Sequence, residues 1–369
     1  MRVLVTGGGT GGHIYPALAI ARGITEKNPR AEILYVGTAK GMEADIVPRA
    51  GLPFRTITVE GLTRKLSVKA FVTLLKTCKG CFDAFKIIRG FKPSVVVGTG
   101  GYVCGPVVLI ASLLGIPTLI HEQNAYPGIT NKLLARFVKK VAVTFPESRK
   151  YFPAKAEVVL TGLPVRPEIK MTERETAVRA LGLDKDKFTV LTVGGSRGAR
   201  SINKAMIGVI SQTANRPDIQ IIHMTGKLGF DETVAEIKTA GIELVNGGNI
   251  TVEPYLYNMD EALAAADLVI CRAGAATIAE ITVRGLPTVL IPYPYASDNH
   301  QEHNARALAK NGAALMILDR DLTGETLWDM VRELYQDPPG LAAMGQASLK
   351  LGKPDALLHL VDIVDALAL

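Results

Sequence analysis

Cysteine, tryptophan and long apolar runs are all scarce in this chain of 369 residues. Four cysteines, Cys78, Cys81, Cys104 and Cys271, are too few and too scattered for a disulfide framework. The longest apolar run, Val103 to Leu114, is interrupted by Gly105 and Pro106 and falls short of the ~20 residues that a membrane span needs. No charged, apolar and cleavage-site pattern of a signal peptide appears, since MRVLVTGGG enters a strand at once. The expectation is a soluble protein of a reducing, cytoplasmic compartment. With 48% hydrophobic and 21% charged residues the composition is globular and excludes a disordered chain. At roughly 150 residues per domain the length suggests two domains.

Acidic residues are nearly missing from one stretch. Between Thr63 and Lys92 stand Arg64, Lys65, Lys69, Lys76, Lys79, Lys86, Arg89 and Lys92 against Asp83 alone, a local charge of +7. The chain as a whole is also +7, so the remainder is balanced and general nucleic-acid binding is not indicated. On a helix, Val68, Phe71, Leu74, Leu75, Cys78, Phe82 and Phe85 share one face. Lys65, Lys69, Lys76, Lys79 and Lys86 fall on a neighbouring arc, and Gly80 is a point where the helix could break. Such a helix can rest on an anionic membrane or be a core-facing helix with a solvated basic side, and the residues alone leave both open. RNA ranks last, because the segment has no Tyr or Trp to stack on bases.

Apolar, β-rich runs alternate with helical patterns along the chain, which predicts an α/β fold with parallel sheets. Predicted strands are Arg2–Thr6, Ile33–Val36, Val95–Val97, Thr118–His121, Val141–Val143 and Val158–Leu160. A second series follows at Thr189–Val193, Ile219–Met224, Ile250–Val252, Leu268–Cys271 and Thr288–Ile291. VLVTGGGTGGH at Val3–His13 and VLTVGGSRGAR at Val190–Arg200 echo each other as strand, glycine-rich turn and helix, 187 residues apart. Each therefore opens its own doubly wound domain, 1–163 and 164–340, with a boundary near Gly162-Leu163-Pro164. The tail 341–369 is helical in pattern and could pack on either domain, including back onto the first. Two similar lobes imply a cleft, a favoured place for ligands.

Gly7-Gly8-Gly9-Thr10-Gly11-Gly12 satisfies G-x-G-x-x-G after a strand, so backbone N–H groups can approach phosphate. A nicotinamide site also wants an acid at the end of the second strand, and here that strand ends in Gly37-Thr38. An oxidoreductase is disfavoured accordingly. Further glycine turns follow at Gly98-Thr99-Gly100-Gly101, Gly194-Gly195-Ser196-Arg197-Gly198 and Gly274-Ala275-Ala276-Thr277. Any one of them could be only a tight turn; four at strand ends point to a diphosphate ligand.

GGGTGGHIYPALAIA, GTGGYVCGP, HEQNAYPG, GGSRGAR, CRAGAATIAE and HQEHNA, in this order from Thr6 to Ala305, resemble the MurG family of N-acetylglucosaminyltransferases. The resemblance implies the GT-B architecture, two Rossmann-like domains facing a cleft. It also implies transfer of N-acetylglucosamine from UDP-GlcNAc to the C4 hydroxyl of the muramyl sugar of lipid I, giving lipid II in peptidoglycan synthesis. Thr10, Gly11 and Gly12 would then lie at diphosphates and Asn124 at the donor. Arg166 and Ser196 would meet the donor diphosphate, and Leu256 would lie beside the uracil. Ala275, Ala276 and Thr277 would open the helix facing the phosphates, Glu280 would accept from the ribose hydroxyls, and Gln301 would read the sugar. Two positions depart from the family pattern: Leu163 stands where Asn is usual, and Arg197 where Gln is usual. Because this family works on a polyprenyl-diphosphate substrate, the resemblance favours the membrane role for Lys69, Phe71, Leu75, Lys76, Lys79, Phe82 and Lys86. The expected place is the cytoplasmic face of the cell membrane, held peripherally.

Transfer with inversion needs a base for the acceptor hydroxyl and positive charge for the departing UDP. His13, in the first turn after the glycine loop, is the candidate base, because a helix N-terminus favours neutral imidazole. It could equally serve only to hydrogen-bond a neighbouring loop or a phosphate. Glu122 is the reserve candidate, unless it only orders the HEQN turn, and His121 is expected to be structural. No cofactor is required and no protein metal site is expected, although divalent-cation stimulation stays open. Asp184–Asp186 and Asp319–Asp321 read as solvated loops, Cys78-Lys79-Gly80-Cys81 as a coincidental C-x-x-C, and His300 with His303 as a helix entry. Rival readings are another GT-B enzyme, such as a glycolipid synthase or a sugar-nucleotide epimerase, and a non-enzymatic sugar-nucleotide sensor.

Overall fold

The computed structural model describes residues 1–61, 68–195, 198–245 and 248–369, and of 68–72 and 74 the backbone alone. Two compact units divide the chain, Met1–Pro164 with Asp355–Leu369, and Val165–Pro354. The first unit begins β1 (Arg2–Thr6), α1 (Gly11–Lys27), β2 (Glu32–Gly37), α2 (Glu43–Arg49), β3 (Phe54–Thr56) and α3 (Val68–Phe91). It continues through β4 (Val95–Gly98), α4 (Cys104–Leu113), β5 (Thr118–Glu122), α5 (Ile129–Leu134), β6 (Lys140–Val143) and β7 (Val158–Leu160). The second unit opens with α6 (Pro167–Met171) and α7 (Arg174–Ala180). It alternates β8 (Phe188–Val193), α8 (Arg200–Thr213), β9 (Ile219–Met224), α9 (Phe230–Thr239), β10 (Ile250–Glu253), α10 (Met259–Ala265) and β11 (Leu268–Cys271). Then come α11 (Ala275–Arg284), β12 (Thr288–Leu290), α12 (His300–Lys310), β13 (Leu315–Met316), α13 (Gly324–Gln336) and α14 (Pro338–Leu351), before α15 (Ala356–Ala368) returns to the first unit.

Among the described residues the strands form one parallel sheet per unit, ordered β3-β2-β1-β4-β5-β6-β7 and β10-β9-β8-β11-β12-β13. Continuous apolar strands such as Val95-Val96-Val97 and Leu268-Val269-Ile270 are buried throughout, as parallel strands covered on both faces must be. In both sheets the winding direction reverses at one place, between β1 and β4 and between β8 and β11. Ligands bind at such switch points, beyond the strands' C-terminal ends.

The strands β3 and β13 were not expected from the sequence. Both are short, three and two residues, and too short to carry a periodic signal. The tail is two helices rather than one, because Gly352-Lys353-Pro354 interrupts it. Its first part, α14, packs on α11 and α13 of the second unit, so residues 341–354 belong there rather than to the first unit. Only α15 covers the first unit, burying Leu360, Val361 and Val364 against a core that includes Ile20 and Ile24 of α1. Lys27 of α1 pairs with both Asp362 and Asp365.

Gly80 does not break α3, which runs unbroken from Val68 to Phe91. A methyl group at Gly80 would sit 2.7 Å from the Thr58 carbonyl oxygen, so glycine here lets the helix lie close against the β3 loop. On that same core side lie Thr73, Ala84 and Ile88. Leu75, Cys78, Phe82 and Phe85 are exposed instead, which turns much of the helix's apolar face to solvent.

Candidate active site

All four glycine turns singled out in the sequence follow the strands that flank the two switch points, β1 and β4 in one sheet and β8 and β11 in the other. In the first unit the turns after β1 and β4 interlock. The Gly8 N–H donates to the Gly100 carbonyl, and a side chain at Gly101 would meet the Gly8 carbonyl oxygen at 2.1 Å. At Gly100, φ is +109°, and a Cβ would lie 2.8 Å from His13 Nδ1. Glycine is therefore required at Gly100 by both backbone conformation and space.

Glu43 was not singled out from the sequence, yet it is fully buried beneath the first glycine loop. Its carboxylate accepts from Gly9 N–H at 3.2 Å and from the Thr38 N–H and hydroxyl at 3.0 and 2.7 Å. Tyr35 of β2 donates its phenol hydrogen to the Gly7 carbonyl at 2.6 Å. The second strand ends in Gly37-Thr38, and the acid that follows it, Glu43 at the start of α2, holds the glycine loop. Thr10 caps α1 without a side-chain bond, and the N–H groups of Gly11 and Gly12, in the first turn, have no intrahelical acceptor.

His13 is tied to the β4 and β5 turns. Its Nδ1 lies 3.0 Å from the Thr99 carbonyl and 3.1 Å from Gln123 Oε1, while the Thr99 hydroxyl donates to the His13 carbonyl at 2.7 Å. Gln123 Nε2 in turn contacts the Thr99 carbonyl at 2.9 Å, the His121 carbonyl at 2.9 Å and His121 Nδ1 at 3.0 Å. His121 Nε2 lies 2.9 Å from the Gly162 carbonyl, and burial pushes its imidazole pKa down to about 4. The motif HEQN contains Gln123, but spacing alone gave no sign that it bridges two histidines.

Of the two roles open to Glu122, its hydrogen bonds are those of a residue that orders the HEQN turn. Its buried carboxylate accepts from the Asn124 N–H at 3.0 Å, the Gly128 N–H at 3.1 Å and Asn131 Nδ2 at 2.8 Å, with Asn124 Nδ2 at 3.4 Å. Both oxygens are committed to shaping the 123–128 turn, which carries half-buried Asn124.

In the second unit α11 begins at Ala275 behind Gly274, with no side-chain cap and no acid in its first turn. The N–H groups of Ala275, Ala276 and Thr277 therefore offer an uncompensated helix N-terminus, favourable for an anion. One turn on, Glu280 lies 3.5 Å from the Arg166 guanidinium; burial raises its carboxyl pKa and Arg166 draws it back. Among the described residues, the Leu256 N–H meets the soft Sδ of Met224, at 3.4 Å, as its hydrogen-bond acceptor. Gln301 in the first turn of α12 accepts from the Tyr293 N–H at 3.0 Å, so its orientation is fixed by backbone. Ser196 lies outside the described residues, as does Arg197.

Asp319 is not the solvated loop residue expected. It is half-buried, pairs with Arg272 and accepts from the Ser201 hydroxyl at 2.6 Å. Arg272 also donates to the Ile291 and Pro292 carbonyls, which braces the turn between β11 and α11 against the end of β12. Asp184 and Asp186 are exposed. All four cysteines are unpaired thiols. Among the described residues no three His, Cys, Asp or Glu side chains form a metal-holding group, and His300 Nδ1 meets the Ser297 carbonyl at 2.8 Å.

On α3, Lys79 and Lys86 are exposed, and Lys86 lies 4.4 Å from the centre of the Phe82 ring. Lys76 instead pairs with Glu60, so its charge is matched within the protein. The side chains of Lys69 and Phe71 lie outside what the structure describes. No helix among the described residues is long and apolar enough to cross a membrane.

Known proteins agree with this anatomy. Residues 3–143 match the glycosyltransferase family 28 N-terminal domain, and residues 189–360 match its C-terminal domain. A protein of Desulforamulus reducens named UDP-N-acetylglucosamine--N-acetylmuramyl-(pentapeptide) pyrophosphoryl-undecaprenol N-acetylglucosamine transferase is 56% identical, over 99% of this chain and 98% of its own. One of the same name from Desulfitobacterium hafniense is 57% identical over 98% of each. The crystal structure of Acinetobacter baumannii MurG superposes with a TM-score of 0.81 at 33% identity over 99% of both chains. A UDP-GlcNAc 2-epimerase from Neisseria meningitidis, at 12% identity and a TM-score of 0.68, shares the fold. With its motifs set at both switch points and its length matched from end to end, the chain belongs to the MurG group of glycosyltransferase family 28.

Proposed function

We propose that this protein is an inverting hexosyltransferase that moves N-acetylglucosamine from UDP-GlcNAc to the C4 hydroxyl of the muramyl sugar of lipid I, giving lipid II for peptidoglycan synthesis. The observation that carries this reading is the end-to-end match, at 56% identity, to a transferase named for that reaction. His13 Nε2 takes the acceptor's hydroxyl proton as the oxygen attacks the anomeric carbon. The new C1–O4 bond forms on the β face while the α bond to the diphosphate breaks, and its electron pair leaves with UDP. The open N–H groups at Ala275–Thr277 and the Arg166 guanidinium meet the charge that develops there. Glu280 accepts from the ribose hydroxyls, backbone beside Leu256 reads the uracil, and Gln301 and Asn124 hold the sugar. No resident metal has a part in this scheme.

Lipid I is a membrane substrate, and α3 is the surface suited to reach it. Exposed Leu75 and Phe82 beside Lys79 and Lys86 combine apolar insertion with attraction to anionic headgroups. The enzyme then works peripherally, at the cytoplasmic face where UDP-sugars are found.

The test is transfer of labelled N-acetylglucosamine from UDP-GlcNAc to a short-chain lipid I analogue, with linkage and anomeric configuration read on the product. A β-1,4 product is expected. Tight UDP-GlcNAc binding without transfer, or epimerisation of the sugar, would refute the assignment.

A further inference from the structure

The tie between His13 and the HEQN turn fixes more than a position. A carbonyl oxygen only accepts, so the 2.9 Å contact of His121 Nε2 with Gly162 places a hydrogen on Nε2. His121 is fully buried and neutral, so its lone pair lies on Nδ1. That atom accepts from Gln123 Nε2 at 3.0 Å. The same amide nitrogen faces the carbonyls of Thr99 and His121, each at 2.9 Å. Turning the Gln123 amide over would set its oxygen against two carbonyl oxygens and a ring lone pair, three repulsive contacts in a buried place. The amide therefore has one orientation, with Oε1 toward His13 Nδ1 at 3.1 Å. Thr99 offers that same ring nitrogen a second acceptor at 3.0 Å.

We infer that Gln123 is a positioning residue: held by His121, it keeps the hydrogen of neutral His13 on Nδ1 and so the lone pair on Nε2, the atom from which His13 acts as base. This rests on His13 being the base, as proposed above. A free neutral histidine side chain in water prefers the opposite tautomer, with hydrogen on Nε2 and no lone pair there to accept a proton. Without the network a large share of the enzyme would carry the wrong tautomer at the moment of reaction. Gly162, where the relay starts, adopts φ +85°, so the carbonyl that sets the order is itself fixed by a conformation glycine tolerates best.

The experiment is nitrogen-15 and carbon-13 NMR of the full chain with labelled histidine, at about pH 8.5, where unperturbed imidazole is neutral. His13 is expected as the Nδ1–H tautomer and His121 as the Nε2–H tautomer, with the signals assigned by His→Gln replacement at each position. In Gln123→Met, which keeps volume but removes the amide and leaves the Thr99 carbonyl as the remaining acceptor at Nδ1, the His13 signals should move part of the way toward the Nε2–H form. The same variant should lose roughly tenfold in kcat, less than a whole general base supplies, with the KM for UDP-GlcNAc held. An Nε2–H His13 in the unaltered protein would overturn the inference without any variant. So would a Gln123→Met protein whose His13 signals stay unchanged. A tautomer that shifts while kcat holds would uphold the relay and overturn His13 as the base.

Discussion

His223 on β9 is buried completely, and neither ring nitrogen has a hydrogen-bond partner among the described residues. Burial lowers its pKa from 6.5 to about 4. A folded pKa below the unfolded one means that the unfolded chain takes up the proton first. Stability is then full above pH 6.5, falls as pH drops through the window down to about 4, and levels off below it. Each pKa unit is worth about 1.36 kcal/mol, so the complete loss is on the order of 3 kcal/mol, of which roughly 2 kcal/mol has gone by pH 5. His223→Leu should remove this dependence. It also deletes two unsatisfied buried polar atoms, each a burden of about 1–3 kcal/mol, so the variant should be as stable as the parent at pH 8 or more so. Trp328 is the chain's one tryptophan and shares a core cluster with Ile219 and Ile221 of the same strand, so its fluorescence reports this unit's unfolding. Urea titrations at pH 8 and pH 5 should show the parent losing about 2 kcal/mol more than the variant. Equal losses would refute the depressed pKa, and a large loss of stability at pH 8 would mean that the ring is hydrogen-bonded after all.

Glu280→Ala removes the proposed ribose acceptor, and at about 2 kcal/mol for hydrogen bonds to a charged group the donor KM should rise roughly 30-fold; steady-state kinetics with varied UDP-GlcNAc would expose an unchanged value as a failure. Lys79→Gln with Lys86→Gln should weaken binding to anionic vesicles by about 2 kcal/mol, near 1 kcal/mol per charge at the surface. Lys76→Gln should do less, because Glu60 already neutralises Lys76; co-sedimentation that ranks the three equally would count against α3 as the contact. Glu43→Gln must turn an N–H donor toward at least one of the three donors that the carboxylate accepts from, which should cost about 1–3 kcal/mol in thermal unfolding. The same variant should lower kcat with little change in donor KM, and the reverse pattern would place the donor diphosphate on the first glycine loop.

Much of the fold was legible because parallel strands buried on both faces announce themselves as unbroken apolar runs, as in Val95–Val97 and Leu268–Cys271. The glycine turns were equally plain. What stayed hidden depends on direction rather than period. Helical spacing put Leu75, Phe82 and Phe85 on one face of α3, but spacing is the same whether a face meets a core or water. The core side was disguised by Thr73, Gly80 and Ala84, small buried residues of which Gly80 lets the helix approach the Thr58 backbone. Glu43 and Asp319 were hidden for a related reason. Each acts on backbone or side chains distant in sequence, Gly9 in one case and Arg272 in the other, and no local pattern reports such a pairing. Glu122 shows the converse: a carboxylate in a motif looks catalytic until its oxygens are found occupied.

The two units repeat one plan, yet their local chemistry divides the work. In the first, the glycine loop has already accepted a negative charge of its own, since Glu43 lies beneath it and takes the Gly9 N–H. A second anion at that point of the loop would be repelled, which leaves only Gly11 and Gly12 to approach a phosphate. What the first loop gives instead is placement: Thr99 and Gly100 close on His13 so tightly that no side chain fits at Gly100. In the second unit, among the described residues, the first turns of α8 and α11 carry no acid, and Glu280 further along α11 faces Arg166. An uncompensated helix N-terminus flanked by a guanidinium is where the greater negative charge belongs. One turn plan thus appears in two forms: the second offers open N–H groups suited to a diphosphate, and the first, rigid around His13, suits the role of base proposed for it.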